Sequence, residues 1–363
     1  MENLYVHVPF CVSKCRYCAF HSEPGADADD LRAFVRLLPR EIALRGAADV
    51  RPATVYLGGG TPSILGPDGL RALLAALPRP ADGAEVSVEV NPGDATPDLA
   101  AALRAAGATR VSIGAQSFSD RALAWLGRRH SVARVREAFT ALRAAGVPSL
   151  SLDLIAAIPG ASPGEFTASL REAIALGPDH VSVYPLSVEP GTPLARAGVE
   201  PPSDDAALAA VAEAEALLAA AGYARYELSN YARPGSECRH NLAVWRGEDY
   251  LGAGPAAHSR EGLERRANAP SFTAWRAALE AGRLPPAEIA RLARGDDESE
   301  RFVTRVRLAR WRGPDPATPA GRRRAAALAA LGRNGLVRPL GGGDWTLTAR
   351  GREVADSVMA ELA

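Results

Sequence analysis

Three of the four cysteines, Cys11, Cys15 and Cys18, fall within eight positions in the run CVSKCRYC. The spacing C-x3-C-x2-C puts three soft ligands on one tight loop. That is enough to hold three irons of a cubane 4Fe-4S cluster and to leave the fourth iron without a protein ligand. An open iron is a place where an outside molecule can chelate. The alternative is a structural zinc ion completed by His7, His21 or Cys238, but zinc sites of this kind usually pair two C-x2-C knuckles and the sequence has one. With Cys238 far away, the thiols make a poor disulfide framework and a good metal site for a reducing compartment.

The elements that must position these thiols come from the local pattern. Strand-like runs rich in β-branched residues recur at Leu4–Pro9, Thr54–Leu57, Val86–Val90, Arg110–Ala115, Ser149–Ile158 and His180–Leu186. Helical segments separate them at Asp29–Arg45, Pro67–Leu77, Pro97–Ala106, Ser131–Ala145, Pro163–Leu176 and Asp204–Ala221, most opened by Asp, Ser or Pro. Six β-then-α units predict a parallel α/β sheet, curled as an incomplete barrel or left open as a doubly wound layer. In a barrel the site lies at the carboxyl ends of the strands. Cys11–Cys18 follow the first strand and Gly58–Pro62 the second, Glu89 and Asn91 end the third, Gln116 ends the fourth, and Asp153 lies on the fifth.

After Tyr226 the rhythm stops, and the Gly, Pro, Asn and His-rich stretch 230–259 reads as a long functional loop or connector. From about Pro285 the residues read as helices, with a Gly-rich turn at 341–343 and a short strand at 345–347, similar to a winged helix. The expected organisation is a barrel over 1–230, a connector over 231–284 and a smaller, mainly helical domain over 285–363.

Balanced charge, with 42 basic and 42 acidic residues, gives no net attraction to nucleic acid or anionic membrane. The Arg322–Arg324 triplet reads as a solvated helix face. The Ala-rich run 206–221 is broken by Glu213 and Glu215 and falls short of the roughly 20 apolar residues of a membrane span. Met1–Pro9 shows no basic start, apolar core or cleavage site, so a cytoplasmic location is expected. Lys14 is the single lysine.

CVSKCRYC after a first strand, with YLGGGTP at the end of the second, resembles the radical S-adenosylmethionine (SAM) superfamily. The run LYVHVPFCVSKCRYCAF, with GAQSF, LGRRH, SLDLIAAIPG and HNLAVW, resembles more closely the oxygen-independent coproporphyrinogen III oxidase-like group, and within it the heme chaperones. The resemblance extends to LTARGREVADSVMAEL near the C-terminus. It implies a partial (β/α)6 TIM-like barrel, a 4Fe-4S cluster on the three cysteines, and SAM chelated at the open iron. It assigns Gly58, Gly59 and Gly60 to the SAM amino group, with Thr61 beside them. Glu89, Gln116, Arg128 and Asp153 match positions around the ribose, carboxylate and sulfonium, and Tyr5 a site-lining tyrosine. Physically, carboxylates can hold ribose hydroxyls and a guanidinium can pair with a carboxylate. Each residue also has a plainer reading: a turn for the glycines, a core aromatic for Tyr5, and Arg129 as a competitor of Arg128.

The oxidases of this group carry a fourth cysteine two residues after the third, where Phe20 stands here, and a longer N-terminal extension than the ten residues before Cys11. Both departures point to the chaperone branch. CRHNLAVW resembles the HNxxYW signature of the chaperones, with Val244 where tyrosine is usual, and nominates His240 as a heme ligand. Cys238 and His258 are further ligand candidates. The implied partners are heme, acceptor hemoproteins including membrane-associated respiratory enzymes, and an electron donor, without nucleic acid. The other reading is an oxidoreductase acting on a porphyrinogen, and whether the chain is an enzyme stays open between the two.

Overall fold

The computed structural model describes residues 2–363. Six strands, β1 (Asn3–Val8), β2 (Thr54–Gly59), β3 (Glu85–Val90), β4 (Arg110–Gln116), β5 (Ser149–Ala156) and β6 (His180–Pro185), run parallel in sequence order. Three short strands extend this sheet: β7 (Ala224–Arg225) and β8 (Asn230–Ala232) antiparallel beyond β6, and β9 (Leu251–Ala253) parallel to β1. The order is β9-β1-β2-β3-β4-β5-β6-β8-β7, and the outermost strands do not pair with each other. The expected partial barrel is therefore observed.

Helices α1 (Ala28–Leu44), α2 (Gly66–Ala76), α3 (Pro97–Ala105), α4 (Asp120–Trp125), α5 (Val132–Ala144), α6 (Glu165–Leu176) and α7 (Asp204–Ala220) pack outside. Their starts follow from capping: Asp27 and Asp30 form a capping box on α1, and Thr96, Ser119, Ser131 and Ser203 each accept a first-turn N–H. Strand alternation fixes the two faces of the sheet. Leu4, Val6, Val8, Val55, Leu57, Val86, Val88, Val111, Ile113, Leu150, Leu152, Val181 and Val183 join one apolar core with the helices. Among the described residues no helix is long and apolar enough to cross a membrane.

The stretch expected as a connector is folded. Besides β8 and β9 it carries α8 (Arg239–Trp245), the ribbon β10 (His258–Glu261) and β11 (Glu264–Asn268), and α9 (Phe272–Glu280). Short segments hide their period from a sequence reading, and what orders them is tertiary. Phe272, Trp275 and Leu279 enter the barrel's core beside Phe10 and Phe34. The buried Glu41 carboxylate of α1 accepts from Trp275 Nε1 (2.7 Å), Gly254 N (2.8 Å) and Asn268 Nδ2 (2.6 Å). A second departure is β12 (Ala287–Arg291), a strand on β11 where a helix was expected.

Beyond it, α10 (Arg294–Arg305), β13 (Trp311–Arg312), α11 (Pro319–Arg333), β14 (Val337–Gly341), β15 (Asp344–Leu347) and α12 (Ala355–Leu362) surround a separate small core of Phe302, Val306, Trp311, Leu328, Leu331 and Val358. Asp297 of α10 ties this unit to the ribbon, accepting from Arg260 (3.0 Å), Arg265 (2.5 Å) and Arg301 (2.8 Å). Burial opposes its ionisation, but the bonds from Arg301, Arg265 and Arg260 outweigh that and hold its carboxyl well below the usual range. Asp297→Asn, which removes the anion that the three guanidinium groups share and leaves Arg260 and Arg265 with Glu300 and Arg301 with Asp249, is expected to lower unfolding free energy by about 2 kcal/mol near pH 7. Because the folded value is depressed, the gap should close as pH falls below about 4, measured by denaturant titration across pH.

Candidate functional site

Strand β1 delivers the chain to Phe10–Cys11, which pair in parallel with Glu23–Pro24, so residues 11–22 form a pinched-off loop at the carboxyl end of the sheet. Its middle is held from outside. Arg16 N donates to Leu126 O (3.0 Å), Arg16 Nη1 to Trp125 O (2.9 Å), and Leu194 N to Arg16 O (2.9 Å). Tyr17 packs on a small cluster of Leu126, Ile155, Leu186 and Leu194. Lys14 Nζ donates to Phe20 O (2.6 Å). All three thiols are thus half-buried and line a single cavity of about 740 Å³.

Two polar groups meet their sulfurs: Thr61 Oγ1 lies 3.3 Å from Cys11 Sγ, and Arg128 Nη1 donates to Cys15 Sγ (3.4 Å). Arg128 also donates to Gly114 O (2.9 Å), while its buried Nε has no protein partner. Between the two neighbouring arginines, Arg128 is the one engaged with the cysteine loop, although both line the cavity. Gln116 sits at the end of β4 with φ 64°, in the left-handed region that a non-glycine residue enters at a cost, and it lines the same cavity.

The glycine run is required by the protein's own packing, whatever its backbone meets in the cavity. A Cβ at Gly58 would lie 2.9 Å from Tyr56 and 3.0 Å from Glu89, one at Gly59 (φ 105°) would lie 2.6 Å from the His7 ring, and one at Gly60 would lie 2.5 Å from Phe10 O. The turn is pressed against the protein itself, and Gly60 N and Thr61 N bond to Val8 O and Phe10 O (2.8 Å each). Gly59, Gly60 and Thr61 line the cavity.

Below the loop the barrel interior is polar. Residues alternating with the apolar core positions meet in register across the strands: Tyr56, Ser87, Arg110 and Ser149 in one layer, Glu89, Ser112, Ser151 and His180 in another, and Asp153 beside Ser182. Ordinary (β/α) barrels fill this space with branched apolar side chains. Here it remains a cavity whose walls include Tyr56, Glu89, Arg110, Ser112, Asp153, His180 and Ser182. Tyr56 OH donates to Glu89 Oε1 (2.8 Å), and Ser112 Oγ donates to both oxygens of Asp153 (3.0 Å). Burial raises the Asp153 carboxyl. It also raises Glu89, to about 7, against the opposing Tyr56 bond. The sequence reading found Glu89 and Asp153 but missed Tyr56, Arg110, His180 and the serines; their signal was the period-two return of polar residues inside otherwise apolar parallel strands.

Three expected residues lie elsewhere. Tyr5 does not line the cavity; its OH meets His7 Nδ1 (3.0 Å) and its ring stacks on Tyr56 and His240. His240 is only 4% exposed, with Nδ1 at 2.8 Å from Thr54 Oγ1 and its ring stacked on Tyr56. Burial lowers its pKa to about 4. The short helix α8 that carries it plugs the floor of the barrel. Glu85 caps α8 through Arg239 N (2.9 Å) and His240 N (3.1 Å), while Cys238 and Asn241 face the cavity. At its other end the Trp245 ring lies 4.3 Å under the Arg307 guanidinium of the C-terminal unit. An accessible iron ligand was expected at His240, but the packing makes this imidazole a floor residue. His258 is exposed on β10.

A partial parallel barrel whose first strand ends in a three-thiol loop over a polar lumen has the architecture of a radical SAM protein, and residues 5–173 match the Radical SAM superfamily. The chain is 40% identical to heme chaperone HemW of Mycobacterium tuberculosis over 371 aligned positions, covering 99% of this chain and 94% of that one. It therefore belongs to the HemW family. Heme chaperone HemW of Escherichia coli is 40% identical over 266 positions, covering 71% of this chain and 70% of that one. Among solved structures, coproporphyrinogen III oxidase (HemN) from Escherichia coli superposes with a TM-score of 0.84 at 25% identity, covering 99% of this chain and 89% of that one.

The raised Glu89 carboxyl has a measurable consequence. Its folded value of about 7 lies above its unfolded value, so ionising it costs stability as pH rises through the interval from about 4.5 to about 7. Glu89→Gln removes that cost and is expected to be more stable than wild type by on the order of 2 kcal/mol at pH 8, with the difference vanishing near pH 4, by urea titration at both pH values.

Proposed function

We propose that this protein is a heme chaperone, binding heme and transferring it to acceptor hemoproteins, with a SAM-bound 4Fe-4S cluster in its barrel. The observation that carries the reading is the 40% identity, over 99% of the chain, to a protein named heme chaperone HemW. The site's chemistry fits the implied groups. Cys11, Cys15 and Cys18 would hold three irons, with the Thr61 hydroxyl and the Arg128 guanidinium beside the Cys11 and Cys15 sulfurs to fix the orientation of those side chains. When bound, the cluster and SAM together supply one-electron chemistry at a sulfonium.

The chain's own residues do the rest. Gly59, Gly60 and Gln116 set the backbone of the cavity wall. Arg128, whose Nε is buried without a partner, is placed to pair with a carboxylate. Glu89 and Asp153 are placed to take hydroxyl hydrogens, and at pH 7 Glu89 is shared between its two protonation states. Gly58, Thr61 and Tyr5 support this wall from behind or beside it. The acceptors in this reading are hemoproteins, membrane-associated respiratory enzymes among them, with a separate electron donor and a cytoplasmic setting.

A second reading, an oxidoreductase acting on a porphyrinogen, draws on the likeness to the HemN structure. Phe20 in place of the oxidases' fourth cysteine weighs against it.

Anaerobically reconstituted wild type is expected to carry iron and sulfide, to change its electron paramagnetic resonance spectrum on SAM addition, and to bind hemin with a shift of the Soret band. Replacing Cys11, Cys15 and Cys18 by serine should abolish the iron. Formation of protoporphyrinogen IX from coproporphyrinogen III, SAM and reductant would overturn the chaperone reading. In the same titration His240→Ala should bind hemin as wild type does while losing about 2 to 3 kcal/mol of stability to the cavity and the broken Thr54 bond. Lost hemin binding in a folded variant would return the imidazole to the iron.

A further inference from the structure

Folding leaves few large apolar side chains strongly exposed, and three of those among the described residues gather at one place. Phe20 at 70% and Val12 at 54% stand on the cysteine loop, and Tyr184 at 42% stands at the carboxyl end of β6; all three line the same cavity. The remaining ones, such as Leu44, Ile289 and Val354, are scattered over other elements. An apolar rim around a polar chamber is a surface that water disfavours and a flat apolar ligand would cover.

The rim also carries a cation. Lys14 is the chain's single lysine among 42 basic residues, and it lines the same cavity. Its ammonium spends one donor on Phe20 O (2.6 Å), and no acidic side chain pairs with it among the described residues. Two N–H groups remain for a carboxylate, which a compact tetrahedral ammonium can take while still bracing the loop.

We propose that Val12, Phe20 and Tyr184, with Lys14 as their cation, form the docking site for heme, laid across the mouth of the cavity. Heme matches this rim in both respects: a flat apolar macrocycle for the side chains, and propionate carboxylates on one edge for the ammonium. The inference rests on the heme-chaperone reading and adds the place of the cargo, which the buried His240 leaves open. Heme at this mouth also stands over the path by which a small ligand reaches the thiols, so the two occupancies are coupled.

The test is hemin titration of the full reconstituted chain, followed at the Soret band, for wild type, Val12→Ser/Phe20→Ser and Lys14→Glu. The serine pair should weaken hemin at least about tenfold, as expected for losing two apolar contact surfaces. Lys14→Glu should weaken it about fivefold, abolish the loss of affinity that wild type shows with added salt, and leave the uncharged dimethyl ester of the porphyrin unaffected. Iron content and thermal midpoint report whether each variant is intact. Wild-type hemin affinity in both intact variants would overturn the rim while leaving the chaperone reading standing. Failure of wild type to bind hemin at one defined stoichiometry would overturn both.

Discussion

The structure depends on one constraint, the two-residue alternation along six parallel strands that stay in register except at one bulge between Ile113 and Gln116 of β4. Odd and even positions cannot exchange faces without moving every side chain of a strand from helix-packed core to lumen. Val86 and Val88 face the helices while Ser87 and Glu89 face inward, and Leu150 and Leu152 alternate with Ser151 and Asp153 in the same way. The outer face thereby supplies an apolar core large enough to hold the sheet. The inner face is left free to be polar, so the barrel encloses a chamber rather than a packed centre.

The cysteine loop depends on that frame without being part of it. A loop of this length has no core of its own, and its shape comes from what it leans on. Tyr17 lies in the Leu126, Ile155, Leu186 and Leu194 cluster, Arg16 lies over Trp125, and a two-residue ribbon closes the base. These contacts come from the ends of β5, β6 and α4 and from the helical turn Pro193–Arg196, so the thiols are located by elements far from them in sequence. That arrangement separates stability from reactivity: the apolar cluster fixes the loop while the sulfurs stay half-exposed.

Much of this was legible in the sequence. The six strands and the helices between them were found because long elements carry caps and a sustained period, and the cysteines because their spacing is itself chemistry. The stretch 230–259 was misread as a loop because strands of three residues show no period; Glu41, more than 200 residues from Gly254 and Asn268, orders its surroundings through tertiary bonds. Glycines 58–60 read in the sequence as backbone for a ligand; the crowding of this turn by Tyr56, the His7 ring and the Phe10 carbonyl had no local signal. His240 illustrates the limit of a motif. The residue types HN and W invite a binding role, yet depth in the fold, which no local pattern encodes, decides whether an imidazole meets solvent or Thr54.

The floor helix α8 touches both halves of the molecule. Its first turn presents Cys238 and Asn241 to the lumen, and its last residue, Trp245, is gripped by Arg307 of the C-terminal unit. Seven residues of rigid helix therefore span the distance between the chamber and the far subassembly. Such a piece acts as a strut: the chamber floor and the C-terminal unit share one support, so neither could shift without straining the other.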